Sequence, residues 1–235
     1  MSFDGKPSTN LDLANAPVQH SRARHPVASP QPRAYFNLPK RAFDIAFALF
    51  LLPVVLPFIA FLWLLVKLDG GPGFFGHVRV GRGGHTFRCY KLRTMVPDAE
   101  IRLKAHLSQN PQAAAAWAQN FKLEPDPRVT RIGRVLRKTS LDELPQIWNV
   151  LKGEMSFVGP RPVTAPELLL YGARAGFYKS LRPGITGLWQ VSGRNAVSYE
   201  RRVEMDEEYF HTGSLLTDVG IIARTGSAVF GMTGN

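Results

Sequence analysis

The sequence predicts an α-rich α+β protein in which a hydrophobic membrane helix precedes a small domain of short strands and helices. Ile45 to Val66 is a run of 22 residues without a charged side chain. Phe74 to Met95 then shows short apolar–polar alternations around a cluster of glycines, which is typical of paired strands. From Asp98 onward, helix start signals and helical patterns dominate. With 235 residues, 45% of them hydrophobic, the chain can bury one sizeable core.

The charge balance limits the class of partner. The chain carries a formal charge of +11, with 29 basic and 18 acidic residues. This excess indicates an anionic partner, which is nucleic acid, anionic lipid or a phosphorylated substrate. The single cysteine, Cys89, cannot form an intramolecular disulfide and suits a reducing compartment. Because Cys89 lies in an apolar–polar alternation, we interpret it as a small core residue and not as a nucleophile.

The N-terminal segment differs in composition from the rest. Met1 to Leu38 is rich in Pro, Ser, Asn and Ala and has no apolar period. We therefore predict a disordered cytoplasmic tail over residues 1–38. A signal peptide is not predicted, because the apolar run starts too far from Met1 and no suitable small-residue cleavage site follows it.

The apolar run has two interpretations. As a helix it would be about 33 Å long, which is enough to cross a hydrocarbon core of roughly 30 Å. One transmembrane span is therefore the simplest interpretation. However, Pro53 and Pro57 interrupt the middle of the run and favour a kink. Basic residues also stand on both sides of the run, which places both ends in the cytoplasm. A re-entrant helix that bends and returns to the same face satisfies both observations, and the residues alone leave the two arrangements open.

The remaining elements follow from local signals. Gly81 to His85 is predicted to be the turn of a β-hairpin, since it lacks the Lys-Ser/Thr ending of a phosphate-binding loop. Helices are predicted for several later segments: Asp98–Ser108, Pro111–Lys122, Pro145–Lys152, Pro166–Leu181, Glu200–Phe210 and Ser214–Phe230.

The adjacent carboxylates Asp142 and Glu143 are the most informative polar residues. One interpretation is a helix start, because Ser140 and Glu143 have the spacing of a capping box. Spacing alone favours that cap, but a helix begun there would have Pro145 as its fifth residue, where an amide is normally bonded. Pro145 fits better as the first residue of the next helix. In that case the two carboxylates lie just before a positive helix end, which favours their ionised forms. Adjacent carboxylates of this kind can supply a nucleophile and a metal ligand.

Arginines on both sides of this pair are candidate phosphate ligands. Arg131, Arg134 and Arg137 recur at three-residue spacing and would share one helix face, which is either solvated or directed at a membrane or a phosphate. The glycine-punctuated loop from Arg182 to Gln190 is followed by Arg194. Backbone amides and guanidinium groups in such loops can receive phosphate oxygens.

Taken together, these motifs resemble the bacterial sugar transferases, which are monotopic polyprenol-phosphate phosphoglycosyl transferases. The resemblance covers Lys40 to about Thr225. In appearance the chain is similar to the undecaprenyl-phosphate galactose phosphotransferases of exopolysaccharide synthesis. The motifs that carry the resemblance occur in the same order as in the family: Lys40-Arg41-Ala42-Phe43-Asp44, Tyr90–Met95, Asp126–Thr130, Ser140–Gln146, Gly159–Pro162 and Arg182–Gln190.

The resemblance implies a topology. Residues 39–69 would form a re-entrant membrane helix, and residues 70–230 a cytoplasmic catalytic domain with short strands and interfacial helices. The protein would lie at the cytoplasmic face of a bacterial inner membrane. The family breaks the helix at a Ser-Pro pair, which corresponds here to Pro57 with Leu56 in place of the serine. Pro53 is an additional proline that would share the break.

The resemblance also implies roles for single residues. Asp142 would be the nucleophile and Glu143 a ligand of the Mg²⁺ cofactor. Five positions are phosphate-binding candidates, the last two less closely matched: Lys91, Arg137, Arg161, Arg182 and Arg194.

The implied substrates are a UDP-hexose, with galactose or glucose, and undecaprenyl phosphate. Inner-membrane lipids are the further partners, and nucleic acid is not expected. A membrane-tethered basic binding protein is the rival hypothesis, but it does not explain an acidic pair among basic residues. An inactive family scaffold is a third hypothesis, which the presence of both carboxylates disfavours. The sequence leaves the identity of the hexose and the existence of a homo-oligomer open.

Overall fold

The computed structural model describes residues 30–120, 123, 125–193 and 197–230. This part of the chain contains one long helix, nine shorter α-helices and four strands. The helices are α1 (Leu38–Lys67), α2 (Ala99–Gln109), α3 (Pro111–Asn120), α4 (Arg131–Thr139), α5 (Gln146–Lys152), α6 (Ala165–Leu169), α7 (Ala175–Ser180), α8 (Leu188–Val191), α9 (Tyr199–Thr212) and α10 (Leu215–Phe230). The strands are β1 (Phe74–Val80), β2 (Thr86–Leu92), β3 (Ser156–Val158) and β4 (Gly184–Thr186).

The strands form two small sheets. β1 and β2 pair antiparallel in a register that sets Phe74 opposite Leu92, and β3 pairs with β4 in parallel. The turn between β1 and β2 contains Gly83 and Gly84 with φ of 72° and 82°. Glycine adopts such positive angles without the steric cost that a side chain would bring. The predicted hairpin turn is therefore confirmed.

The predicted N-terminal tail is described only in part. Residues 1–29 lie outside the described residues. Residues 30–38 are described, and Ala34–Phe36 forms a 3₁₀ turn. The Phe36 side chain is 3% exposed and packs edge-on against the Tyr209 ring at a centroid distance of 5.4 Å. Folded structure thus begins before the predicted boundary at Leu38.

The long helix α1 has two distinct faces. One face contributes buried side chains near both ends, Lys40 and Asp44 at the start and Leu62 and Val66 at the end. The opposite face exposes large apolar side chains: Leu49, Phe50, Val54, Leu56, Phe58, Phe61 and Leu64. The helix is long and apolar enough to cross a membrane, by length and composition alone.

The prolines of α1 do not divide it. The helix of 30 residues runs through Pro53 and Pro57 without interruption. The predicted break at these prolines is therefore not seen as a gap in the helix, and the re-entrant arrangement stays a prediction.

Polar side chains fix the start of α1 to the domain. The buried Lys40 ammonium pairs with the carboxylate of Asp218 on α10, which also accepts a hydrogen bond of 2.5 Å from the Tyr209 hydroxyl. One turn later, Asp44 Oδ1 accepts hydrogen bonds from the hydroxyl of Ser156 and the amide of Phe157 in β3.

The end of α1 is fixed to the same domain. Arg93, which follows β2, donates hydrogen bonds to the carbonyls of Val66 at 3.0 Å and Pro72 at 2.7 Å. Leu62 and Val66 pack in a small core that is shared with the domain. Both ends of α1 thus rest on one folded unit.

The helix predicted over Pro166–Leu181 is wrong as one element. The structure divides it into α6, a 3₁₀ turn at Gly172–Arg174 and α7. Gly172 has φ of 52°, which ends a right-handed helix. A capping box that was not predicted stands at the start of α6, where Thr164 and Glu167 bond each other's backbone amides.

Candidate active site

The two carboxylates lie on a tight turn between α4 and α5. Leu141–Glu143 forms one turn of 3₁₀ helix. Ser140 precedes it with φ of 57°, the only non-glycine residue with a positive φ in the described part of the chain. A helix N-cap needs extended backbone angles, so Ser140 cannot cap here, and its side chain makes no capping bond. The capping box predicted from spacing at Ser140 is therefore wrong, and Pro145 directly precedes α5.

Lys91 of β2 joins the two carboxylates. Its Nζ lies 2.6 Å from Glu143 Oε1 and 3.6 Å from Asp142 Oδ2. Alternate residues of a strand share a face, so Cys89 points to the same side as Lys91. Both residues line the cavity described below.

The buried amide of Asn149 sets the position of β2. Asn149 is fully buried on α5. Its Nδ2 donates hydrogen bonds to the Arg88 carbonyl at 2.7 Å and to Glu154 Oε2 at 2.6 Å. Its Oδ1 accepts from the Tyr90 amide at 3.0 Å. These bonds hold the strand on α5 just before Lys91. Asn149 was not predicted as a residue of the site.

Burial and neighbouring charges act in opposite directions on the pKa values of Asp142 and Lys91. Burial raises the pKa of Asp142 and the neighbouring Glu143 adds to this, while Lys91 and Arg137 act to lower it. Burial acts to lower the pKa of Lys91, but Glu143 and Asp142 outweigh it and the pKa is raised. Lys91 therefore stays charged and supports the ionised form of Asp142. Burial raises the pKa of the Cys89 thiol to about 11, which keeps it protonated and unreactive.

The turn opens onto a cavity of about 380 Å³. Its polar wall holds Glu143 and three cationic side chains, Arg79, Lys91 and Arg161. Its apolar wall includes Leu51 and Val55 from α1. Further apolar lining residues come from the domain: Leu144, Ile147, Phe157 and Ile185. The cavity thus suits a ligand with an anionic end and an apolar end.

Two guanidinium groups lie against one indole in this wall. The Arg202 guanidinium carbon lies 4.5 Å from the Trp189 ring centroid and that of Arg161 lies 5.9 Å from it. Arg79 is held beside them by an ion pair of 2.9 Å with Glu167. Arg79, Trp189 and Arg202 were not predicted as site residues, although Trp189 lies in the glycine-punctuated loop from Arg182 to Gln190.

The structure brings only some of the candidate residues to the cavity. It brings Asp142, Glu143, Lys91 and Arg161 to the cavity or its rim. Arg137 lies behind this group, where its Nε donates a 2.8 Å hydrogen bond to Thr94 Oγ1.

Arg182, a further arginine candidate, is not brought to this site. Arg182 Nε donates to the Gly153 carbonyl at 2.9 Å. Its side chain lines a separate small cavity beside Lys40 and Asp44. Arg194 lies outside the described residues.

The donor set fits one kind of metal site. Within the described residues, no group of three or more His, Cys, Asp or Glu side chains is placed to hold a metal ion. Asp142 and Glu143 offer adjacent carboxylates at the cationic end of the cavity. Mg²⁺ is usually bound through one or two carboxylates, water and substrate phosphates. The residues therefore fit Mg²⁺ that is held together with a phosphate ligand, and not an all-protein cage.

Comparison with known proteins gives several similarities. A family described as bacterial sugar transferase matches residues 35–232. The chain is 45% identical, over 97% of its length, to undecaprenyl-phosphate galactose phosphotransferase of Salmonella typhimurium. It is 49% identical to the exopolysaccharide production protein ExoY of Sinorhizobium fredii, over 82% of this chain and 86% of that protein. It is 38% identical to UDP-glucose:undecaprenyl-phosphate glucose-1-phosphate transferase of Caulobacter vibrioides, over 83% of this chain and 71% of that protein.

The coverage of the relatives differs. The chain spans less than half the length of several curated relatives, including 48% of the Salmonella protein. The resemblance that the sequence motifs indicate is confirmed at the level of the family.

Proposed function

The chain belongs to the bacterial sugar transferase family, and on this premise we propose that it transfers hexose 1-phosphate from a UDP-hexose to undecaprenyl phosphate. The products would be undecaprenyl-diphosphate-hexose and UMP. The names of the Salmonella and Caulobacter relatives support a lipid phosphate acceptor, with galactose in one and glucose in the other. The name of the Sinorhizobium relative supports a role in exopolysaccharide production, for which this would be the first membrane step.

One observation carries the proposal: a single cavity is lined by Glu143, by cationic side chains and by the long apolar helix, and Asp142 lies beside it, 3.6 Å from the lining residue Lys91. Arg79, Lys91 and Arg161 supply positive charge for a diphosphate. Leu51 and Val55 bring the apolar side of α1 to the same space. A soluble nucleotide sugar and a lipid phosphate can therefore meet at one point, which lowers the entropic cost of their encounter.

Asp142 is the proposed nucleophile of the first step. Its carboxylate oxygen attacks the phosphorus nearest the sugar, and the bond from that phosphorus to the bridging oxygen breaks. UMP leaves with the bridging oxygen, and hexose 1-phosphate remains on Asp142 as an acyl phosphate. Lys91 and Arg161 stabilise the charge that develops on the phosphoryl oxygens.

Undecaprenyl phosphate is the nucleophile of the second step. Its phosphate oxygen attacks the same phosphorus and releases the carboxylate of Asp142. The bond between the sugar C1 and its oxygen is not cut in either step, so the anomeric configuration is kept. Mg²⁺ held by Glu143, with Asp142 beside it, would offset the charge of the diphosphate.

The placement of α1 supports a location at a membrane surface. Its exposed face is apolar, and both of its ends are bonded to the same domain. A helix that crossed the membrane would carry its two ends to opposite sides. We therefore propose that α1 enters and leaves on the cytoplasmic side, with its apolar face in the lipid.

The test separates the two half-reactions. Purified protein mixed with UDP-galactose or UDP-glucose and Mg²⁺, without lipid, should release about one UMP per active site and gain the mass of a hexose phosphate. Added undecaprenyl phosphate should discharge this mass and restart turnover. The UDP-sugar that gives the faster burst identifies the hexose.

The control is Asp142→Asn, which keeps the size of the side chain but removes the nucleophile. It should give neither burst nor adduct. A normal adduct in this variant would place the nucleophile elsewhere. Turnover only when both substrates are present, without a burst, would favour direct attack by the lipid phosphate. A protein that binds UDP-sugar but never releases UMP would support the rival hypothesis of a binding protein.

A further inference from the structure

Lys91 occupies the place where a cation is needed. Its ammonium group contacts Glu143 at 2.6 Å and lies 3.6 Å from Asp142. These are the carboxylates that the proposed function assigns to the metal ligand and to the nucleophile. A divalent cation on Glu143 would have to share this carboxylate with a positive charge that already contacts Oε1.

Only an anionic ligand could replace the two carboxylates as the partner of Lys91 in this cavity. The other charged side chains that line the cavity are Arg79 and Arg161, which repel an ammonium group. No further carboxylate cluster lies within the described residues to complete a metal site. A nucleoside diphosphate would supply what is missing in each case. Its oxygens can accept hydrogen bonds from the Lys91 ammonium, and they can also complete the ligand shell of the metal.

From this geometry we infer that Lys91 is a displaceable counter-ion that couples metal binding to nucleotide binding. Without nucleotide, Lys91 holds Glu143 and opposes a divalent cation. When a nucleoside diphosphate enters, Lys91 moves to the diphosphate and Glu143 becomes free for the cation. The inference rests on the proposed function and deepens it, because it states that the metal and the nucleotide each favour the binding of the other.

The coupling is measured by binding alone, with Mn²⁺ as the probe. Purified full-length chain is titrated with Mn²⁺, and free Mn²⁺ is followed by electron paramagnetic resonance with and without UDP. We expect UDP to tighten Mn²⁺ binding to the wild type by about 10-fold or more, which is within the usual range of coupling between sites. By reciprocity, Mn²⁺ should tighten UDP binding by the same factor.

Lys91→Met tests the role of the ammonium group. Methionine keeps an unbranched apolar stem of similar length but has no charge. Without UDP, this variant should bind Mn²⁺ about 10-fold more tightly than the wild type, and UDP should add less than in the wild type. Lys91→Arg keeps the charge and should retain weak binding without UDP. The matched control is Lys152→Met, which removes a lysine that lies 3.9 Å from Glu154 and outside the cavity, and it should bind Mn²⁺ like the wild type.

The outcomes separate this inference from the proposed function. If UDP tightens Mn²⁺ binding in the wild type but Lys91→Met binds Mn²⁺ as weakly as the wild type without UDP, the counter-ion role is refuted and the metal site stands. If Lys91→Arg binds as tightly as Lys91→Met, charge is not the cause and the inference fails. If Mn²⁺ binds equally with and without UDP, and Glu143→Gln changes nothing, both the inference and the metal site are refuted.

Discussion

The buried carboxyl of Asp206 predicts a dependence of stability on pH. Asp206 lies on α9 and is 4% exposed. Its Oδ2 accepts a hydrogen bond of 2.7 Å from the Tyr171 hydroxyl. Burial raises its pKa from 3.8 to about 7, and the bond from Tyr171 offsets this only in part. The folded protein therefore binds the proton of Asp206 more tightly than the unfolded chain does.

The direction and size of the change in unfolding free energy with pH follow from this difference in pKa. The stabilisation from the proton is fully present below the unfolded pKa and is lost as the pH rises through the folded pKa. Each pH unit between the two values costs about 1.4 kcal/mol. Between pH 5 and pH 8, Asp206 should therefore lower the free energy of unfolding by about 2–3 kcal/mol. For a chain of this size that corresponds to about 5–10 °C in Tm.

Asp206→Asn isolates this contribution. The amide oxygen can still accept the bond from Tyr171, but the side chain does not titrate. Thermal unfolding of wild type and variant is measured by circular dichroism in the same detergent at pH 5, 6, 7 and 8. The Tm of the wild type should fall relative to that of the variant up to about pH 7 and then run parallel to it. Two curves that run parallel from pH 5 to pH 8 would refute the assignment of a raised pKa to Asp206.

Three further predictions concern the frame of the site. Asn149→Ala removes three hydrogen bonds and leaves buried backbone groups of β2 unpaired, so it should lower the free energy of unfolding by about 3–5 kcal/mol in denaturant titration. A loss below about 1 kcal/mol would show that the strand is held by other contacts. Gly133→Ala would place a Cβ 2.1 Å from the Thr94 carbonyl oxygen, so α4 must shift and kcat should fall about 100-fold. A kcat like that of the wild type would show that the shift does not reach the turn. Arg161→Lys should lower kcat/KM for UDP-hexose by about 10-fold, because lysine lacks the planar fork that grips two phosphate oxygens. Equal kcat/KM would remove Arg161 from the phosphate site.

The sequence predicted several residues that the structure brings together at the acidic turn, while their roles stay predictions. Asp142 and Glu143 share one turn, whereas Lys91 lies on β2 and Arg161 follows β3. Only long motifs in a fixed order indicated that these three segments meet. Short-range signals were less reliable. Ser140 and Glu143 have the spacing of a capping box, but the left-handed backbone at Ser140 excludes it, and backbone angles are not visible in spacing.

The roles of the arginines were the hardest to predict, because a guanidinium group can bind a phosphate or donate hydrogen bonds to backbone carbonyls equally well. Arg161 lines the cavity, whereas Arg182 donates to a backbone carbonyl away from it. Both stand next to a proline and within two residues of a glycine in the sequence. Asn149 was missed because a buried amide carries no charge pattern, and its partners are fixed only once α5 lies on β2.

The contact between Lys40 and Asp218 has a consequence for the timing of synthesis. Its partners are 178 residues apart, so Lys40 gains its partner only after 178 further residues have been made. At about 5–20 residues per second, this interval is roughly 10–35 s. Throughout it, Lys40 lacks the carboxylate that later neutralises it. Closure of so long a loop also slows folding. On the proposed membrane location, the apolar face of α1 would meet the bilayer before Asp218 is made, and a ribosome that stalls before α10 would leave Lys40 without its partner.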